Sequence, residues 1–228
     1  MNRTVIALGF FDGVHRGHGA LLEKTAARAR ELEAVPAAFT FDRPPKEVVT
    51  GRPVGLINTP DDRRDLMQRL YGIRQVIIAP FDRAMMTMPW QEFIDRLLVG
   101  TYGAVHLVAG HDYHFGHRNQ GDPDKLLSRC RERGIGCDII PQVTRDGITV
   151  SSTHLRTLLK AGEMETAVRF FVLMKYCSIA ETARRDGIAT WFSSTPRSDR
   201  MRIFAPSLYA LSHSTKVLSI AFSSEVFL

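Results

Sequence analysis

An α/β domain on a mostly parallel sheet is the fold class that the first 160 or so residues of this chain predict. Three observations carry that expectation. Short β-rich runs alternate with segments of helical period, the pattern of strands joined by crossover helices. A glycine-rich turn at residues 9–18 stands where a first strand gives way to a first helix. A second strand-to-helix junction, rich in hydroxyl side chains, follows at residues 150–156.

Residues 4–10 read as the first strand. The next segment puts Leu22, Ala26, Ala29 and Leu32 on one helical face with Lys24, Arg28 and Arg30 elsewhere, and Pro36 is expected to end that helix before a strand at 37–41. Thr59-Pro60 opens a helix over 61–71. Residues 75–79 and 104–109 read as short buried strands with a helix over 91–99 between them. A further helix is expected over 123–133, stopped by Gly134, then a strand at 137–140. Helices over 153–160 and 163–171 are parted by Ala161-Gly162. Past residue 173 the chain turns rich in Ser and Arg with only weak alternation, and no fold is assigned to 173–228. The expected organisation is therefore a domain over 1–172 followed by an aberrant or truncated tail.

With 228 residues, 44% of them hydrophobic and 24% charged, the chain is long enough for one full core with room for a small second one. No apolar run approaches the roughly 20 residues that span a bilayer, and the apolar stretch before Asp12 is too short for a signal peptide. A cytoplasmic protein is expected, without a membrane partner. Cys130, Cys137 and Cys177 have no C-x-x-C spacing, which argues against a disulfide framework and a zinc site. The formal charge of +6 favours anionic partners. Because the cations are scattered, small phosphate-bearing substrates are expected and nucleic acid is not.

The run Gly9-Phe10-Phe11-Asp12-Gly13-Val14-His15-Arg16-Gly17-His18 carries the first chemistry. Free N–H groups and the positive end of a helix dipole face a phosphate at such a junction. Gly13 and Gly17 let the backbone approach closely, and His15 and His18 can both donate to one phosphate. The second element is Val150-Ser151-Ser152-Thr153-His154-Leu155-Arg156. Its hydroxyls can cap a helix, and the planar fork of Arg156, one turn in, suits a pyrophosphate. Together the two elements place donors on both sides of a triphosphate.

Those runs, with Thr40-Phe41-Asp42-Arg43-Pro44-Pro45 and Gly110-His111-Asp112-Tyr113-His114-Phe115-Gly116 followed by Gly121-Asp122, resemble the prokaryotic FAD synthetases. Members of that family are usually bifunctional riboflavin kinase/FMN adenylyltransferases. The resemblance covers roughly residues 3–172 and implies a Rossmann-like nucleotidyltransferase domain that moves AMP from ATP to FMN. It implies that His15 and His18 contact the ATP phosphates and are catalytic with Arg156. Gly9, Phe10, Phe11, Gly17, Asp112, Ser151, Ser152 and Thr153 would form the rest of the ATP site, and Phe41, Asp42 and Phe115 the flavin side. ATP and FMN would be substrates, with Mg²⁺ bridging phosphate oxygens and no dedicated cage of protein ligands. Histidine stands at 114 where the family often has arginine. His111, His114 and His117 also suggest a metal cluster, although a substrate-facing loop is the preferred reading.

The family's kinase module opens with G-F-P-T-A-N, which nothing in 173–228 matches, so riboflavin kinase activity is not expected. A changed reading frame or a truncation near residue 173 would explain the break. Two other readings stay open: a non-catalytic flavin or nucleotide binder, and a nucleotidyltransferase for another phosphorylated acceptor.

Overall fold

The computed structural model describes residues 2–171, and the expected tail 173–228 lies outside the described residues. Five parallel strands form the sheet in the order β3-β2-β1-β4-β5: β1 (Thr4–Leu8), β2 (Val35–Phe41), β3 (Gln75–Ala79), β4 (Ala104–Gly110) and β5 (Gly136–Ile140). Strand order reverses between β1 and β4. The crevice beyond the carboxyl ends of those two strands is where an open sheet of this kind receives a ligand.

Every residue of β1 is buried, because helices cover both faces of the sheet. Alternation sends Ile6 and Leu8 to one side and Val5 and Ala7 to the other. The Val5 side packs on Leu21, Leu22 and Ala29 of α1 (Arg16–Glu31) and on Leu66, Met67 and Tyr71 of α3 (Pro60–Tyr71). The Ile6 side packs on Leu126 and Cys130 of α6 (Pro123–Glu132) and on Phe93, Ile94 and Leu98. Those last three belong to a π-helical stretch, Phe93–Thr101, that continues the short α5 (Trp90–Glu92). Its wider pitch shows where Thr101 Oγ1 reaches back five residues to the Arg96 carbonyl.

The sheet and its main helices follow the sequence pattern, with several local differences. Pro36 lies inside β2, whereas α1 ends at Glu31 and the chain turns through Glu33 at φ 50°. β1 stops at Leu8, two residues before the expected end, since Phe11 at φ 57° has already left the extended region. Two short helices were not expected, α2 (Pro45–Thr50) and α4 (Arg83–Thr87). Nor was the hairpin of β6 (Thr144–Arg145) and β7 (Ile148–Thr149). Asp146 and Gly147 both take positive φ in its turn, the conformation an Asp-Gly pair favours between hairpin strands.

A third apolar cluster joins α7 (Ser152–Ala161) to α8 (Met164–Phe170) through Val150, Leu155, Leu158, Ala167, Phe170 and Phe171. Gly162, at φ 76°, caps α7 in the left-handed conformation and turns the chain between them. Phe171 then forms an antiparallel bridge with His15, so the end of the described chain lies against the turn after β1. No helix among the described residues is long and apolar enough to cross a membrane.

Candidate active site

The turn between β1 and α1 is strained in a defined way. Phe11, Gly13 and Val14 all have positive φ, at 57°, 83° and 38°. Such values in a phenylalanine and a valine persist only where surrounding groups hold them. Several do. The Gly13 N–H donates to Asn58 Oδ1 at 3.1 Å. Thr40 Oγ1 donates to the Phe10 carbonyl at 2.8 Å, and Arg63 Nη1 donates to the same carbonyl at 2.6 Å.

The product of that turn is a pair of stacked imidazoles at the start of α1. His15 is the N-cap, and its Nδ1 accepts the His18 N–H at 3.2 Å. The two rings lie 3.6 Å apart at 14°, with the edge of Phe11 against His18 at 5.2 Å. Because Nδ1 of His15 is an acceptor, the neutral ring carries its proton on Nε2 and offers it outward. Burial pushes the His15 pKa down to about 4, and burial with the charges of His15, Arg63 and Arg156 puts His18 well below its ordinary value. Both rings are therefore neutral donors at pH 7. A Cβ on Gly17 would stand 3.1 Å from the His15 ring and 3.3 Å from the Val150 carbonyl, so glycine lets ring and backbone close on one another.

A stability effect follows from the neutral His15. Its folded pKa of about 4 lies below the unfolded value of 6.5, so between these pH values the unfolded chain binds more protons. Its contribution is complete above pH 6.5 and is lost as pH falls toward 4, with a size of about 3 kcal/mol. Urea unfolding followed from pH 7.5 to 4.5 should show this decline, and His15→Gln should make it shallower, leaving the part that His18 contributes. An equal slope in both proteins would contradict the assignment.

Asp12 ties the turn to the second phosphate-handling element. Its carboxylate is 1% exposed. Oδ1 accepts the N–H groups of Ile57 and Asn58 at 2.9 and 3.3 Å, and Oδ2 accepts Arg156 Nη2 at 2.5 Å. Arg156 Nε donates to the Gly55 carbonyl at 2.9 Å, and Ser152 Oγ donates to the Asp12 carbonyl at 2.8 Å. Ser151 is the N-cap of α7, accepting the His154 N–H at 3.2 Å. The two sequence motifs thus meet through Asp12.

A cavity of about 580 Å³ opens over this junction. Gly9, Phe10, His15, Gly17 and His18 line it on one side, and Ser151, Ser152 and Thr153 on another. Asp112 and His114 lie on its rim, with His114 Nδ1 held 2.9 Å from the Asp112 carbonyl. The far wall is apolar, made of Phe41, Phe81, Met85, Met86, Met88, Tyr113 and Phe115. Tyr113 and Phe115 stack at 5.5 Å, and Phe81 meets Phe41 edge-on at 4.9 Å. Gly121 lets Phe115 sit close, since a Cβ there would come within 2.7 Å of the ring.

Three expected site residues do not reach the cavity. Phe11 is a core residue, 0% exposed, and acts only on the edge of His18. Asp42 accepts the Phe81 N–H at 2.9 Å, and that bond together with Arg43 keeps its pKa below the usual carboxylate range against the opposing effect of burial. It therefore holds the loop that carries Phe81 rather than facing a ligand. Arg156 is committed to Asp12 and Gly55, not turned to a pyrophosphate site. The histidines at 111, 114 and 117 do not gather, and no group of three His, Cys, Asp or Glu side chains placed to hold a metal ion occurs among the described residues.

Sequence reasoning passed over Asn58, Arg63, Phe81, Tyr113 and the methionines of residues 85–88. The methionine run was the readable signal, because clustered methionines suit an adaptable apolar wall. Asn58 and Arg63 gave no such signal, since their partners are backbone groups 45 and 53 residues away.

A family model described as FAD synthetase matches residues 1–154. A bifunctional riboflavin kinase/FMN adenylyltransferase from Pseudomonas fluorescens is 34% identical over 170 residues, which cover 72% of this chain and 53% of the relative. The protein of the same description from Bacillus subtilis is 30% identical over 172 residues, covering 72% and 52%. The chain thus spans about half the length of these relatives. Among solved structures, one described as a macrolide-efflux protein from Streptococcus pneumoniae superposes with a TM-score of 0.65 at 25% identity, over 74% of this chain and 55% of that one.

Proposed function

The chain belongs to the FAD synthetase family, and from that premise we propose that it transfers AMP from ATP to FMN, forming FAD and pyrophosphate. One observation carries the reading. A single cavity joins a pair of neutral imidazole donors at a helix N-terminus to a wall of aromatic and methionine side chains. The first end suits phosphates, and the second suits a flat aromatic ring such as a flavin.

In the proposed reaction an FMN phosphate oxygen attacks the α-phosphorus of ATP, a new P–O bond forms, and the bond to the β-phosphate oxygen breaks. The nucleophile is already anionic, so the protein's task is alignment and charge stabilisation. His15 Nε2 and the His18 ring donate to the phosphoryl oxygens as charge shifts toward the leaving pyrophosphate. Ser152 and Thr153 at the start of α7, with the free N–H groups of its first turn, receive the other end of the triphosphate. Arg156 contributes by fixing Asp12, and through it the junction of the two motifs. Phe41 and Phe115 hold the flavin ring. Mg²⁺ would accompany the ATP phosphates and neutralise part of their charge.

Riboflavin kinase activity is not part of the proposal, because residues 173–228 carry no G-F-P-T-A-N run. The small-molecule substrates ATP and FMN suit a cytoplasmic enzyme. Purified protein incubated with ATP, Mg²⁺ and FMN should yield FAD and pyrophosphate, and riboflavin in place of FMN should yield neither FMN nor FAD. FMN binding without pyrophosphate release would replace the enzyme reading with a binding one.

A further inference from the structure

We propose that Arg63 is a positioning residue for this site, a buried cation that holds the Phe10 carbonyl from beneath and so sets the turn presenting His15 and His18. The proposal rests on the adenylyl-transfer reading for its effect on rate, but its geometry stands without it. Arg63 lies one turn into α3, whose start is fixed by the reciprocal bonds of Thr59 and Asp62. That start aims the side chain under the sheet ends, where it is 0% exposed. Nη1 donates to the Phe10 carbonyl at 2.6 Å and to Thr40 Oγ1 at 3.0 Å, and the guanidinium carbon stands 4.4 Å from the centroid of the Phe10 ring.

No carboxylate pairs directly with this guanidinium among the described residues, and Nε and Nη2 have no hydrogen-bond partner. Burial lowers its pKa, with Asp12 and Asp42 near enough to oppose that effect. A buried cation with two idle donors is a costly way to fill space, since an apolar side chain of similar volume would serve packing as well or better. What an apolar side chain cannot do is give the Phe10 carbonyl a second donor beside Thr40 Oγ1 and donate to that hydroxyl as well, which fixes both. That carbonyl stands past the end of β1 and one residue before the strained Phe11, so sheet pairing does not reach it. Phe10 itself lines the cavity.

The same charge acts on His18. With His15 neutral, Arg63 and Arg156 are the two cations whose charge disfavours a protonated His18. All of the hydrogen bonding comes from Nη1, so a single charged donor at one point is sufficient. This separates the proposal from a requirement for the guanidinium fork, because lysine supplies such a donor and methionine does not.

The test compares Arg63→Met with Arg63→Lys. The His18 ring is followed by NMR titration of histidine-labelled protein, assigned with His18→Gln, and FAD formation is measured alongside. In Arg63→Met, His18 should protonate at higher pH than in the parent, and kcat should fall about 10- to 100-fold with the FMN KM unchanged. In Arg63→Lys both should stay close to the parent. A folded Arg63→Met protein with the parent's titration and kcat overturns the proposal. So does a folded Arg63→Lys protein as impaired as Arg63→Met. Should Arg63→Met fail to fold, Arg63→Lys decides alone: parent-like titration and rate support the proposal, and a folded protein that has lost both overturns it. If the parent forms no FAD, the proposed function falls, while the titration still decides whether Arg63 governs the histidine pair.

Discussion

Replacing His18 with alanine is expected to lower kcat for FAD formation by about a hundred- to a thousandfold, a loss of about 3–4 kcal/mol of transition-state stabilisation. The size follows from where the ring stands. His18 is in the first turn of α1, stacked on His15 at 3.6 Å and lining the cavity with it. The neutral state of both rings matters, because a neutral imidazole contributes one directed donor without a charge that would bind ATP and transition state alike. Alanine removes that donor and also the face on which His15 rests. The apolar wall of Phe41, Met85 and Phe115, proposed to hold the flavin, is formed by other residues of the cavity, so the FMN KM should hardly change. Some stability should be lost as well, since the ring stacks on His15 and meets Phe11 edge-on. Single-turnover measurement of pyrophosphate release, with a melting curve as control, separates these effects. An alanine variant that forms FAD at the parent rate would remove His18 from the chemistry.

The sheet was legible because its signal is local. Runs such as Val5 to Leu8 and Leu107 to Ala109 are apolar at every position, which only a strand covered on both faces tolerates. The H-x-G-H turn and the S-S-T junction were legible for the same reason: each stands at a strand-to-helix boundary that periodicity alone marks. Contacts made at a distance were not legible. Arg156 had the chemistry of a phosphate ligand, but its partner is a buried carboxylate 144 residues earlier, and no pattern within either motif reveals the pairing. Phe11 looked like part of a nucleotide loop because it stands in the glycine-rich turn beside Gly9 and Phe10, which do line the cavity. A positive φ at that single residue turns its ring into the core. Pro36 misled in the opposite sense, because proline near the start of a strand keeps its carbonyl, which here accepts the Arg74 N–H at 2.9 Å.

Asp12→Ala is expected to destabilise the described domain by about 4 kcal/mol, roughly 10 °C in melting temperature. Alanine leaves the Ile57 and Asn58 N–H groups without an acceptor and Arg156 without its counter-charge, in a place where Asp12 is 1% exposed. Asp12→Asn is the more informative variant. It can keep an oxygen toward the two N–H groups while its amide faces the Arg156 donors and repels them, so it frees the guanidinium at a smaller cost in stability. The role of Arg156 can then be read from a double-mutant cycle. If Arg156 acts through Asp12, Arg156→Met should lower kcat strongly in the parent and have little further effect in the Asp12→Asn background. If Arg156 grips pyrophosphate directly, Arg156→Met should lower kcat by the same factor in both backgrounds. The bonds to Asp12 and to the Gly55 carbonyl occupy Nη2 and Nε and hold the side chain away from the cavity, so strong coupling is the expected result. Equal factors in the two backgrounds would return Arg156 to the phosphate site and leave Asp12 with the turn alone.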